Sequence, residues 1–417
     1  MTPPREPTGQ FPHPRREGRV LSRRAAFWVA ASVASLALWA SGAPSMVYPL
    51  YTADWNLTPA IITTIFAVYP ISLVVTLVIF GSLSDYLGRR FALLAGVSAI
   101  AIGVLLFAVA PGLPWLIAGR VLQGIGVGLA MGPASAAMVE FNASGNSSRA
   151  SSINTASTAV GLALATIVGG AFVEYLTAPL HLSYWLLLVL ALGILVTVWF
   201  LPRPVAGILA AGTWRPQRVG VPRGLRTVFS VSSLSIAAGF SMGALLLSLG
   251  SQIAKDLIGT SNALVAGSVL SVSAVLIGVT AILARRLEPL SATIIGGVLT
   301  AAGMGLLSVS AALHSLPVFL AASVVSGAGY GMLFLGGLGL TNRHAPTHHR
   351  ASTLSSVYLV AYLTQGIVAV SIGLTATTIG LEPALDIWAP VIAAICIAAS
   401  VLALVAGRSK ALVLKTA

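Results

Sequence analysis

The sequence predicts an all-α integral membrane protein of twelve transmembrane helices, arranged as two six-helix pseudo-repeats. Three observations predict it: scarce charge, twelve long apolar runs, and a one-sided placement of Lys and Arg. Of 417 residues, 57% are hydrophobic and 8% charged, against about 25% charged in a soluble domain. That is too little charge to cover a water-facing surface, so lipid is the expected solvent for most of the chain. A helix needs roughly 20 apolar residues to cross a bilayer. Such runs begin near Ala25, Ala60, Phe91, Trp115, Ala150, Tyr184, Thr227, Ala263, Ala292, Val318, Thr353 and Ile387. The alternating ten-residue strands of an outer-membrane barrel do not occur.

The net charge of +13 would by itself suit nucleic acid. Its distribution argues instead for a bilayer. With the N-terminus inside, 21 of the 23 Lys and Arg fall in the N-terminal tail or after an even-numbered run. They are the tail residues from Arg5 to Arg24, then Arg89 and Arg90, Arg149, the five from Arg203 to Arg226, Arg285 and Arg286, Arg343 and Arg350, and Arg408, Lys410 and Lys415. Lys255 lies on the other side and Arg120 inside the fourth run. This positive-inside bias sets both termini in the cytoplasm, and a count of eleven or thirteen helices would scramble it. We expect a multi-pass protein of the plasma (cytoplasmic) membrane, with the lipid bilayer and no nucleic acid as partner.

Residues 1–22, rich in Pro, Arg and Gly, read as a disordered cytoplasmic tail. The run from Ala25 to Tyr51 is too long for the apolar core of a signal peptide. Pro202–Arg226 holds four prolines and five arginines. It places a linker at 203–226 between an N-terminal bundle (23–202) and a C-terminal bundle (227–408), with a tail at 409–417. The bundles echo each other. Gly124, Gly126 and Gly128 in the fourth run recur as Gly327, Gly329 and Gly331 in the tenth, 203 residues on. Arg149-Ala-Ser151 recurs as Arg350-Ala-Ser352, 201 residues on. Repeats related by an axis along the membrane normal place a transport site near the midplane between them. The one cysteine, Cys396, reads as a buried apolar side chain.

The segment Gly81-Ser-Leu83-Ser-Asp85-Tyr-Leu-Gly88-Arg89-Arg90 joins the second and third runs. Gly81 permits close helix approach and Gly88 a tight turn. Asp85 sets a negative charge among basic residues. Here the chain resembles the major facilitator superfamily, whose signature in this loop is Gly-x-Leu-x-Asp-x-x-Gly-Arg-Arg/Lys. The resemblance implies that Gly81, Asp85, Gly88, Arg89 and Arg90 latch the two halves in the outward-facing state. It implies too that Asp85 faces the start of the eleventh helix, where partial positive charge lies, and that Glu140 pairs with the loop arginine.

Arg120-Val-Leu-Gln123-Gly124 resembles the family's Arg-x-x-Gln-Gly, which is linked to proton movement or substrate contact. A charge at mid-bilayer costs about 2.5–3.5 kcal/mol. Arg120 therefore faces the bundle interior or, roughly 9 Å from the outer end of its run at 1.5 Å per residue, snorkels outward. The glycines at 124–128 lie within an apolar helix and read as packing, not as a phosphate loop. The family's antiporter element, Gly-x-x-x-Gly-Pro-x-x-Gly-Gly, is met in the fifth run by Gly161, Gly169 and Gly170, with Ala165 and Thr166 in place of Gly-Pro.

None of the ten Asp and Glu sits mid-helix. Candidates for a coupling acid are Asp54 above the first run, Glu174 above the fifth, and Asp85. Tyr358, Tyr362 and Gln365 share one helical face. With Tyr48, Tyr69, Tyr330 and Phe334 they form a candidate cavity suited to moderately apolar substrates, and Arg120 would favour an anion or neutral compound. His344, His348 and His349 follow the tenth run. Two have the i, i+4 spacing of a metal pair, but Pro346 interrupts them and no acid is near, so a solvated loop is expected. No Gly-x-x-x-x-Gly-Lys-Ser/Thr loop occurs, and no cofactor or metal is expected.

The reading that results is a monomeric secondary transporter. It resembles the twelve-helix drug efflux group, exporting small, moderately apolar molecules in exchange for protons by alternating access. An importer or uniporter of a metabolite with the same fold is the alternative, and an integral-membrane transferase built on the histidine loop is the remote one. Neither a channel filter nor a charged pore ring is present.

Overall fold

The computed structural model describes residues 20–143, 147–202, 214 and 220–408, with backbone alone at 147, 148 and 347–351. The tails and most of the interbundle linker lie outside them. Twelve helices are long and apolar enough to span a membrane: α1 (Arg23–Gly42), α2 (Pro59–Phe80), α3 (Arg89–Ala108), α4 (Leu113–Phe141), α5 (Ser147–Tyr175), α6 (Pro179–Trp199), α7 (Arg226–Gln252), α8 (Ala263–Leu283), α9 (Pro289–Ala312), α10 (Leu316–His344), α11 (Thr347–Ile379) and α12 (Leu381–Arg408). No strand occurs among the described residues.

Helix ends follow local chemistry. Thr58 and Asn262 cap α2 and α8 by accepting the N–H of Ile61 and Val265. Pro179 and Pro289 take first-turn positions of α6 and α9, where no amide hydrogen is needed. The first run is not one helix. Pro44 cannot continue it, so Ala43–Met46 winds as a 3-10 turn and a separate short helix, Tyr48–Trp55, follows. Asp54 belongs to that short helix and is exposed.

The start of α1 and the end of α12 lie at one end of the bundle, called here the terminal face. There Leu21 N–H donates to Phe200 O at 3.0 Å and Arg23 Nη2 to Glu140 O at 2.9 Å. The opposite end is the far face. The halves meet where α2 packs along α11 and α5 along α8.

The glycine echo is a packing device in both halves. A Cβ at Gly124 or Gly128 would collide with α2, at Tyr69 O (2.5 Å) and Thr76 Cβ (2.8 Å). At Gly126 it would meet Gly96 O of α3 at 2.6 Å. In α10, Gly327 and Gly331 face Ser273 and Ile277 of α8, and Gly329 faces Gly296 O of α9 at 2.7 Å. Each central helix thus presses two neighbours at backbone contact, which only small residues allow.

Candidate functional site

A cavity of about 470 Å3 lies between the halves and runs toward the terminal face. Its walls differ. The C-terminal half supplies an aromatic wall: Phe240 of α7, Tyr330 and Phe334 of α10, and Tyr358 and Tyr362 of α11. Phe240 is the hub, with ring centroids 4.8 Å from Tyr362, 6.1 Å from Tyr330 and 6.2 Å from Phe334. The N-terminal half supplies Tyr69 and a polar stripe on α5 that includes Ser151, Asn154, Thr155 and Thr158. Thr155 and Thr158 donate their hydroxyl hydrogens back to Ser151 O and Thr155 O. Their oxygen lone pairs are left to the cavity. Gln365 lines the cavity at 7% exposure, and its Oε1 has no hydrogen-bond partner. Among the described residues no Asp, Glu, Lys, Arg or His is on the wall.

Of the residues expected at the cavity, Tyr69, Tyr330, Phe334, Tyr358, Tyr362 and Gln365 are on its lining and Tyr48 is not. The broken first helix turns Tyr48 inward, where its hydroxyl accepts from Arg120. Phe240 and the α5 stripe are additions. The stripe's signal is visible in the sequence as hydroxyl or amide residues at helical spacing.

Arg120 is fully buried, so it faces the interior and does not snorkel. It donates from Nη1 to Ser41 O (2.8 Å) and Gln123 Oε1 (3.1 Å), from Nη2 to Tyr48 Oη (3.1 Å), and from Nε to Ile65 O (3.4 Å). Its guanidinium carbon stands 5.2 Å from the Tyr69 ring centroid and 5.8 Å from that of Phe66. Neutral oxygens and π faces replace the usual carboxylate. The charge stays behind Tyr69 and off the cavity wall, so it offers a cargo anion no direct contact. Gln123, also buried, is a partner of the arginine, and its Nε2 is unbonded.

At the terminal face, Gly88 adopts φ +88° between the short helix Leu83–Leu87 and α3. This is a left-handed turn that favours glycine. Arg89 Nη1 reaches Asp85 Oδ1 and Ser84 Oγ, each at 3.1 Å. Its Nε stands 3.8 Å from Glu140 Oε2. Arg90 lies over the Trp199 ring at 5.3 Å. The expected approach of Asp85 to the start of α11 involves residues 347–351, whose side chains lie outside the described ones. Asp85 is engaged here by its own neighbour Arg89.

Glu174 is half-buried and accepts the Ala263 N–H across the halves at 2.8 Å. Ser251 Oγ donates to Ser45 O at 2.6 Å, also at the far face. Helix-5 glycines serve packing: Gly161 faces the Ser35 backbone of α1, and Gly169 faces Met46. Pro346 separates α10 from α11, and His344 Nδ1 stands 3.0 Å from Leu340 O. The side chains of His348 and His349 lie outside the described residues. Among the described residues no group of three or more His, Cys, Asp and Glu gathers to hold a metal. Cys396 is fully buried.

Known proteins agree with this architecture. The inner membrane transport protein YajR of Escherichia coli (strain K12) is 28% identical over 169 residues, covering 39% of this chain and 36% of that protein. The match therefore spans about a third of the relative's length. The solved nucleoside transporter NupG superposes with a TM-score of 0.72 at 13% identity, covering 91% of this chain and 99% of that one. A bacterial homolog of the human lysosomal transporter Spinster, inward-facing and occupied, gives 0.71 at 15%, covering 94% and 98%. At such identities these two structures speak for the fold alone. The sequence profile of the Major Facilitator Superfamily matches residues 27–369. With twelve spanning helices, a repeated glycine scaffold and a profile match over most of its length, the chain belongs to the Major Facilitator Superfamily.

Proposed function

We propose that this chain exports small, uncharged, moderately apolar molecules across the cytoplasmic membrane, driven by protons and by alternating access of its two bundles, 23–202 and 227–408. The carrying observation is the cavity between the halves, with its aromatic wall, its acceptor-rich wall and, among the described residues, no ionisable acid or base on either. Such walls suit a neutral molecule with an apolar body and one or more N–H or O–H donors. An ion would lose its hydration without gaining a partner.

The positive-inside bias puts the terminal face in the cytoplasm. The cavity then opens inward, the loading state of an exporter. In this reading Gly81, Asp85, Gly88, Arg89, Arg90 and Glu140 form the latch that engages α11 when the protein faces outward. Arg120, Gln123 and Gly124 fix the N-terminal bundle around the site, and the coupling acid is Asp54 or Glu174. The exposure of Asp54 favours Glu174. The chain works as a transporter and not as an enzyme, without cofactor, as a monomer.

The test is cargo accumulation in efflux-deficient cells over a panel of neutral, cationic and anionic compounds, with and without a protonophore. Lower accumulation of a neutral compound, abolished by protonophore and by Asp85→Asn, is the expected result. Proton-driven uptake of the same compound would reverse the direction. Ala165 and Thr166 in place of the antiporter Gly-Pro pair favour keeping that second reading in view.

A further inference from the structure

At the far face one cross-half contact is made twice. In α5, Gly170 lies against α8, where a Cβ would stand 2.6 Å from Ala263 O. One turn on, Glu174 Oε2 accepts the Ala263 N–H at 2.8 Å. In α11, Gly373 lies against α2, where a Cβ would stand 2.8 Å from Pro59 O. One turn on, Thr377 Oγ1 accepts the Ala60 N–H at 2.9 Å. Gly170 and Gly373, Glu174 and Thr377, and Ala60 and Ala263 are each 203 residues apart, the spacing of the glycine echo.

Each half therefore caps a helix of the other half. First-turn N–H groups have no acceptor within their own helix. Thr58 and Asn262 serve the N–H of Ile61 and Val265. The N–H of Ala60 and of Ala263 are thereby left for the opposite half. The glycine brings the backbones together, and the residue one turn later closes the bond.

The two caps differ in one property. Glu174 can carry charge, and a carboxylate at a helix N-terminus gains from the partial positive charge there. Thr377 cannot. Among the described residues no side chain of opposite charge pairs with Glu174. On α1, on α5 itself and just after α8 the basic residues, Arg23, Arg24, Arg149, Arg285 and Arg286, lie at the terminal face. On α4, Arg120 is held in its own nest, and on α6, His181 is engaged with Ala108 O. The preceding turn carries Lys255 and Asp256, and the short helix Asp54, all exposed. The two ion pairs among the described residues are both at the terminal face.

We infer that Glu174 is the proton-responsive half of a symmetric gate: ionised, it holds α5 to the start of α8 and keeps the far face shut, and on taking a proton from far-side water it releases α8 and lets that face open. The inference rests on the alternating-access reading and names the group through which a proton acts on the motion.

Spin labels at Leu176→Cys and Leu313→Cys, on opposite halves of the far face, would report the opening in full-length Cys396→Ala protein in lipid nanodiscs. In an acid titration the otherwise wild-type pair should gain a longer-distance population. Glu174→Gln should show that population at every pH and lose the acid response. Thr377→Ala should loosen the face while keeping the response. Should Glu174→Gln not fold, Thr377→Glu, with a second carboxylate at the equivalent place, should deepen it. Wild-type distances and titration in Glu174→Gln, or an unchanged response in Thr377→Glu, overturn the inference. The readout needs no cargo. A panel without a transported compound counts against the export reading alone, and a gate blind to acid counts against this inference alone.

Discussion

The fourth and tenth helices hold equivalent places in the two halves, yet they differ at the residue that organises the N-terminal core. Where α4 has Arg120, α10 has Ser323, 203 residues on, 1% exposed and with no hydrogen-bond partner. Where α4 has Gln123, α10 has Ser326, whose hydroxyl bonds back to Ala322 O. The N-terminal core is organised by a buried charge with four acceptors. The C-terminal core uses hydroxyls, such as Ser235 on Leu333 O at 2.7 Å and Thr341 on Ser232 at 2.9 Å. The glycine scaffold stayed the same in both. Backbone spacing is thus the shared inheritance of the halves, and side-chain chemistry is where they specialised.

The largest test of that comparison is Arg120→Ser, which copies the tenth-helix residue into the fourth. It empties a large buried volume and strands Tyr48 and the facing carbonyls. Core truncations cost about 2–5 kcal/mol, so the thermal midpoint of the purified protein should fall steeply and transport should vanish. Ser323→Ala, by contrast, should be close to neutral in the same melt. Next come Gly126→Leu and Gly329→Leu. Overpacking costs about 1–3 kcal/mol, and the two variants should lose similar amounts in a denaturation assay. A loss confined to one half would break the equivalence.

Phe240→Ala sharpens the contrast between the walls. Aromatic pairs contribute about 0.5–1.5 kcal/mol, so the KM for an apolar cargo should rise severalfold with folding preserved. The smallest effect belongs to Glu140→Gln. Its 3.8 Å contact with Arg89 joins two partly exposed groups, and such pairs contribute about 0–1 kcal/mol. The melt should hardly move, and any defect should appear in transport rate.

Much of this was legible from composition. Lipid leaves the backbone no solvent partner, so a spanning run of apolar residues becomes a helix. Boundaries slipped where helix-end chemistry overrode hydropathy. The twelfth helix starts at Leu381, six residues before the apolar run, because Glu382 sits well in a first turn. The sixth starts at Pro179 for a related reason. The site was less legible. Aromatic residues at helical spacing marked one wall. The hydroxyl stripe of α5 does not single itself out in the sequence, because Ser and Thr in membrane helices ordinarily bond their own backbone, as Thr155 and Thr158 do here. The cross-half caps exist only in the folded chain: nothing at Thr377 or Ala60 distinguishes them until α2 and α11 lie side by side.

The division of the cavity into two unlike walls has a mechanical consequence. In the proposed cycle, a cargo seated between them is gripped on one side mainly by rings and on the other mainly by oxygens, and each grip belongs to a different half. As the halves swing apart in that cycle, the molecule is peeled from one of them and its hold weakens, although no residue has changed its chemistry. Unloading is then a by-product of hinge geometry. A compound long enough to stay bonded to both walls through the swing would stall the cycle, behaving as a wedge and not as a passenger.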